Sequence, residues 1–350
     1  MPIIKRINAN PTLNKLIWPV VALLLILLFN LFFTPHFFQI GFKNGHLVGS
    51  LIDILNRAAP VLIIAIGMTL VIATSGIDLS VGAVVAIAGS IAAVMIRPGY
   101  LHGDLSYPPP PPIFWLVLVP LCACAAAGVW NGFLVSVLKI PPMVGTLILM
   151  VAGRGIAQLI TRGQIITFHA KQFEFIGTGF LFGLPFPVTL IAILLGLTYL
   201  FTRKTALGLF IESVGDNPTA SRYAGVNSTL ITWFVYVFCG ICAGIAGLIV
   251  AADIRGADGN NAGLNMETEA ILAVIIGGTS MNGGRAYLAG TVIGALLMQA
   301  LKTTILTRGV PPQYVMVVES IVVVAVCLMQ SPAFRDKLTQ GFTKVGRVPA

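Results

Sequence analysis

Charge is what this sequence has least of. Only 9% of its 350 residues are Asp, Glu, Lys or Arg, against roughly 25% in a typical soluble domain. So few charges cannot cover the surface of a soluble fold of this length. An apolar content of 57% excludes disorder equally firmly. Nucleotide chemistry is missing too: no G-x-x-x-x-G-K-[ST] phosphate loop occurs, nor H-E-x-x-H, nor G-x-S-x-G. The four histidines (His36, His46, His102, His169) are scattered. Cysteine is scarce, with five residues, all inside apolar runs. Cys239 and Cys242 form C-G-I-C, but no second pair or nearby histidine completes a zinc set. They read as small packing residues in a helix.

What fills the chain is a series of long apolar runs. Ten candidate spans occupy about 17–33, 52–74, 79–96, 113–138, 143–161, 186–202, 229–251, 269–280, 287–306 and 314–330. The expected fold is an all-α polytopic membrane protein. Its parts are an N-terminal tail (1–16), one membrane domain (17–331) and a C-terminal tail (332–350). Thr34–Phe37 after the first run offers no small-residue cleavage site, so that run reads as an uncleaved span. The net charge of +9 then concerns topology rather than nucleic acid, because Lys and Arg collect in cytoplasmic segments. With the N-terminus inside, twelve of the 21 Lys and Arg residues fall on the cytoplasmic side. Both termini are therefore expected there. No strand pattern stands out. Pro108–Pro112 reads as a stiff extended spacer in an outer loop.

Polar residues cluster at a few places. In the inner loop 203–228, Asp216 or Asn217 can cap a helix that starts at Pro218 and ends before Gly225. A short cytoplasmic helix between spans six and seven follows, suited to docking in a partner's groove or, more simply, to linking the spans. Thr74–Gly82 (T-S-G-I-D-L-S-V-G) joins spans two and three almost without a loop. There Asp78 and Ser80 can cap span three. The segment Ala252–Glu269 is expected to be a polar outer loop. Within the spans, Arg154 and Gln158 share a helix face, Asp53 and Arg57 are spaced to pair, and Glu319 lies in the last run. The eighth run is short and ends in I-G-G-T, the form of a helix lining a cavity. The stretches 72–88 and 276–294 share one shape: apolar run, glycine-rich break, apolar run.

Three motifs carry a family resemblance: G-I-D-L-S-V-G at 76–82, E-S-V-G-D-N-P-T-A-S-R-Y-A-G-V-N at 212–227, and E-A-I-L-A-V-I-I-G-G-T-S at 269–280. In that order they resemble the ribose-type monosaccharide ABC importer permeases. I-D-I-L-N-R-A-A-P-V at 52–61, T-L-I-L-M-V-A-G-R-G-I-A-Q-L-I at 146–160 and A-A-D-I-R-G-A-D-G-N-N-A-G-L at 251–264 are similar to galactofuranose-importer permeases within that family. The proline at Asp216–Asn217–Pro218 and the Pro108–Pro112 run depart from the family pattern.

The resemblance implies a permease of the bacterial inner membrane that moves a monosaccharide inward by alternating access, galactofuranose first. Ribose, xylose or galactose are the alternatives, and a secondary carrier is the competing class. It implies no catalytic site, cofactor or metal in this chain, with ATP and magnesium bound by a separate ATPase. The implied partners are that ATPase, a second non-identical permease, a periplasmic sugar-binding protein and membrane lipid. Carried onto this sequence, the segment coupling to the ATPase holds Glu212, Gly215, Asp216, Asn217, Ala220, Ala224 and Gly225. The signature turn, a candidate gate, holds Gly76, Asp78, Ser80 and Gly82. No motif fixes the sugar contacts; from their polarity and place in the chain, Asn131, Arg154 and Gln158 are expected in the substrate path, and Arg255, Asp258, Asn261 and Glu267 at the binding-protein contact.

Overall fold

The computed structural model describes residues 11–43, 45–100, 103 and 109–330. The expected cytoplasmic tails and Pro108 lie wholly or partly outside them. Thirteen helices occur among the described residues: α1 (Pro11–Phe33), α2 (Ser50–Ala73), α3 (Val81–Ile96), α4 (Ile113–Ser136), α5 (Pro142–Thr161), α6 (Lys171–Thr178), α7 (Phe186–Lys204), α8 (Ala206–Asp216), α9 (Pro218–Tyr223), α10 (Ser228–Ile254), α11 (Met266–Ile276), α12 (Leu288–Thr307) and α13 (Val315–Gln330). Eight of them contain stretches long and apolar enough to cross a membrane.

Every expected span is a helix, but two fall short. The 16 residues of α3 reach about 24 Å and the 11 of α11 about 16 Å, against a hydrocarbon core of roughly 30 Å. All ten expected runs are therefore helical, eight of them of membrane-crossing length. α3 and α11 are each completed by non-helical chain that runs inside the protein.

Six short strands also form where none was expected. β1 (Gly41–Lys43) pairs with β2 (His46–Val48), β3 (Ile165–Thr167) with β6 (Gly256–Asp258), and β4 (Phe180–Leu181) with β5 (Leu184–Pro185). All three antiparallel ladders lie at one end of the bundle, where they satisfy backbone groups of chain leaving the helices. The opposite end carries α8 and α9.

α10 is the hub, packing on α4, α2 and α3. Its small residues let neighbouring backbones approach closely. A Cβ on Gly240 would lie 2.6 Å from the Cys124 carbonyl oxygen. Cys239 and Cys242 are buried free thiols on the same helix. The core runs along α2, α3 and α10, whereas Leu24, Leu25 and Phe32 of α1 stay exposed, as lipid-facing side chains must.

Candidate functional site

The α8–α9 end is built as a joint. Thr205 starts α8 by accepting from the Leu207 amide at 3.3 Å. Asn217 then caps α9, its Oδ1 accepting from the Thr219 amide at 3.1 Å and the Ala220 amide at 2.9 Å. Pro218 sits at the first helical position, where no amide hydrogen is needed. Gly225 ends the turn at φ +86°, a conformation glycine adopts without strain. Among α9 and its flanks, Ala220, Arg222, Tyr223 and Ala224 are exposed, and Tyr223 is 90% exposed.

Asp216, the last residue of α8, is exposed as well, but Glu212 and Gly215 point the other way. Glu212 and Gly215 belong to α8, not to the short helix. Glu212 Oε1 accepts from the Ala286 amide at 3.3 Å and lies 3.8 Å from Arg203. Gly215 is buried against the C-terminus of α2, where a Cβ would lie 1.8 Å from the Ala73 carbonyl oxygen and 2.7 Å from the Gly284 nitrogen. Gly284 N–H donates to that same Ala73 oxygen at 3.0 Å. Ser75 Oγ lies 2.8 Å from the carbonyl oxygens of both Gly215 and Asn282. The two similarly shaped breaks of the sequence, α2–α3 and α11–α12, thus meet at the end of α8. Ser75, Gly283 and Gly284 were missed by sequence reading. The doubled glycine in S-M-N-G-G-R was the available signal.

Beyond the joint, the signature turn re-enters the bundle as extended chain. Its backbone polar groups must be satisfied by protein there. Tyr236 OH donates to the Ile77 carbonyl at 3.3 Å, and Thr146 Oγ1 accepts from the Leu79 amide at 3.2 Å. Asp78 is buried, its Oδ1 accepting from Ser80 N–H at 3.0 Å, Ser80 Oγ at 2.7 Å and Asn131 Nδ2 at 3.2 Å. The expected cap of α3 is corrected in detail: Ser80 turns its hydroxyl back to Asp78, and the carboxylate takes the free amide. Gly76 packs under Tyr236, and a Cβ on Gly82 would lie 2.4 Å from the Gly263 carbonyl oxygen.

Asn131 therefore does not stand with Arg154 and Gln158. It is locked to Asp78 and, at 2.8 Å, to Ser80 Oγ. Removing the carboxylate would strand buried donors, at ~1–3 kcal/mol each. Asp78→Ala is expected to lower the unfolding temperature of the detergent-purified protein markedly, with Asp78→Asn recovering part of the loss. Equal melting of all three proteins would show that the network carries no stability.

Arg154 and Gln158 line a groove of about 390 Å³ with Glu267 and Leu264. Arg154 Nη1 donates to the Ala262 carbonyl. Since Arg154 lies about two turns from the end of α5, the chain around Ala262 descends into the bundle. The expected outer loop 252–269 is thus not free loop throughout: it begins in α10, passes through β6, and at Ala262 is tied to α5. Glu267 is 5% exposed and faces Gly82, so it is withdrawn from the binding-protein contact. Arg255 remains at the sheet end, 3.2 Å from Glu174, as do Asp258 and the exposed Asn261. Burial works against the Asp258 charge. Hydrogen bonds from Asn261 and the Asn260 and Asn261 amides, with the Arg154 charge, outweigh it and hold the carboxyl below its ordinary value.

Two expectations about charge also change. Asp53 and Arg57 are both exposed and form no ion pair with each other. Glu319 is not isolated: Lys302 Nζ lies 2.6 Å from Glu269 and 3.7 Å from Glu319, joining α11, α12 and α13. Lys302 was overlooked because the surrounding run reads as an ordinary apolar span.

The α8–α9 end thus sets an exposed short helix over a buried joint, inside a bundle of membrane-length helices. The model of the branched-chain amino acid transport system permease component matches residues 50–327. The chain belongs to this permease family. It is 54% identical over 325 residues to the galactofuranose transporter permease protein YtfT of Escherichia coli strain K12, covering 91% of each chain. Over 330 residues it is 38% identical to the fructose import permease protein FruF of Bifidobacterium longum, covering 92% of this chain and 89% of the other. Over 322 residues it is 32% identical to the ribose import permease protein RbsC of Haemophilus influenzae, covering 91% and 94%. No solved structure matches. This permease is a multi-pass protein of the inner membrane, and the α8–α9 joint and the re-entrant turn both lie within the matched region.

Proposed function

We propose that this permease is the membrane subunit of an ATP-driven importer of galactofuranose. The observation that carries the mechanism is the placement of Gly215. It links the exposed α9 to the breaks of two helix pairs through direct backbone contact. An ATPase subunit would seat α9 in a groove, with Tyr223 as the anchor. ATP and magnesium belong to that subunit, and this chain takes no catalytic part. On closure of the ATPase, displacement of α8 would shift the α2–α3 and α11–α12 breaks together. The α8–α9 end is then the cytoplasmic face, and the sheet end receives a periplasmic sugar-binding protein at Arg255, Asp258 and Asn261.

The substrate assignment rests on the 54% identity to the galactofuranose permease. A second, non-identical permease would cover the flank of α5, where Val151 and Leu159 are 74% and 79% exposed beside the Arg154–Gln158 groove. A polar groove on a membrane-facing flank is costly without a protein or water neighbour. Pairing of Glu319 with Lys302 supports the importer over an ion-coupled carrier, which needs a carboxylate free to exchange its ion.

Ala224→Arg tests the docking. The side chain is exposed, so the variant will fold. Sugar-stimulated ATP hydrolysis and uptake in reconstituted complexes are expected to fall at least tenfold together. Unimpaired uptake would show that α9 is only a linker.

A further inference from the structure

A cavity lies at the α8–α9 end, beside the joint. It measures about 470 Å³ and opens between the turn after α2, the end of α4, α9 and the first turns of α10, within the range of small-molecule sites. Two cations line it, Lys139 just beyond α4 and Arg222 on α9. No Asp or Glu lines it among the described residues. The Thr219 and Thr232 hydroxyls also line it, and they make no hydrogen bond within the described residues.

Arg222 has a defined direction. Its Nη2 donates at 3.4 Å to Thr229 Oγ1 in the first turn of α10, which turns the guanidinium toward the membrane helices. One such bond leaves most of its five N–H donors free. Two like charges on the walls of one cavity repel unless an anion joins them. Two bases from different helices, free hydroxyls and no acid therefore select an anion over a neutral sugar or a metal ion.

The surroundings select which anion. Trp130 on α4 and Val137 at its end are exposed, and so is Leu138 beside Lys139. Leu230 and Phe234, one turn apart on α10, are exposed too. Trp233 Nε1 ties the two helices there, donating to the Val129 carbonyl at 2.7 Å. The seven residues from Trp130 to Val137 make this apolar flank about 10 Å long, with tryptophan at the level where a membrane meets water. A soluble phosphate has no use for such a flank, whereas a lipid has acyl chains to lay on it. Basic pockets between membrane helices are where anionic headgroups bind.

We propose that this cavity binds the headgroup of an anionic phospholipid, with the phosphate held by Lys139 and Arg222 and the acyl chains along the α4–α10 flank. Ser75 lines the same cavity and holds the Gly215 carbonyl. The lipid thus bridges α4 to α9 directly over the joint and keeps α9 in register with it. Binding needs only a membrane; its effect on uptake rests on the importer reading.

The test uses the permease–ATPase complex in phosphatidylcholine, alone or mixed with phosphatidylglycerol. Native mass spectrometry is expected to show phosphatidylglycerol retained by the wild type and about tenfold less by Lys139→Gln with Arg222→Gln. Both side chains are exposed, and unchanged unfolding temperatures in phosphatidylcholine confirm folding. Lys204→Gln removes an exposed cation at the same end but outside the cavity, and it should retain the lipid like the wild type. Equal retention by the double variant overturns the site, and so does an equal loss in Lys204→Gln, which shows surface charge alone. If the wild type retains no lipid, but inorganic phosphate raises its unfolding temperature and not that of the double variant, the occupant is a soluble phosphate and the lipid is overturned. In proteoliposomes with sugar-loaded binding protein, phosphatidylglycerol is expected to raise wild-type uptake several-fold. Lys139→Gln alone, away from α9, should lose that gain while the ATPase still co-purifies. Lipid retained without any gain in uptake overturns the bridge to the joint. A wild type that moves no sugar in either membrane sinks the importer reading and leaves the binding result standing.

Discussion

Gly215→Ala is expected to abolish uptake while the ATPase subunit still binds. The Cβ would enter at 1.8 Å from the Ala73 carbonyl oxygen and 2.7 Å from the Gly284 nitrogen. Both neighbours are backbone, so no rotamer change relieves the contact. α8 must withdraw, and with it goes the Ser75 contact to the Gly215 carbonyl. Overpacking of this kind costs ~1–3 kcal/mol, which a bundle this extensively packed can absorb. Asn217 caps α9 locally, so the docking surface persists. The measurement is uptake against ATP hydrolysis in the reconstituted complex. Hydrolysis should continue with uptake at least tenfold lower. Retention of coupled uptake would show that motion reaches the membrane helices by some route other than this joint.

Lys302→Met is expected to destabilise the transmembrane core clearly. Removing the ammonium leaves Glu269 and Glu319 facing one another across α11, α12 and α13. Lys302 and Glu269 are half-buried, so deleting the ammonium costs less than the ~3–5 kcal/mol of a fully buried pair, but it leaves two acids without their cation. Low yield or a much lower unfolding temperature is the expected readout. Neutralising all three groups, as Lys302→Met with Glu269→Gln and Glu319→Gln, should restore most of the stability. Glu319→Gln alone should be mild, because it leaves the 2.6 Å contact of Lys302 with Glu269 intact. Wild-type stability of Lys302→Met would show that the acids are hydrated or protonated and need no cation.

Much of this architecture was written in the one-dimensional pattern. Apolar run length located all ten helices, because a helix in lipid must satisfy its backbone within itself. Asn217, Pro218 and Gly225 specify α9 through capping, fixed φ and positive φ, which are properties of neighbouring residues. These features carried both the class and the short exposed helix. Whether a motif residue faces a partner or the core was not legible in this way. Glu212 and Ala224 belong to one contiguous motif, yet one is tied to Ala286 and the other is exposed. Only the break between α8 and α9 decides that.

Distance in sequence explains the rest. Nothing local marks Asn131 as the partner of Asp78, 53 residues away, rather than of Arg154. Nothing local withdraws Glu267 from a loop that reads as solvated. The outcome depends on Arg154 drawing Ala262 into the bundle and on a glycine at 82 leaving room. Local composition by itself determined that the chain crosses a membrane, and it specified the short exposed helix α9. Tertiary structure alone decided which buried charges are paired, where two distant breaks touch and which polar walls enclose a cavity. Each of these is a meeting of side chains or backbones from helices whose order along the chain does not set their neighbours in space.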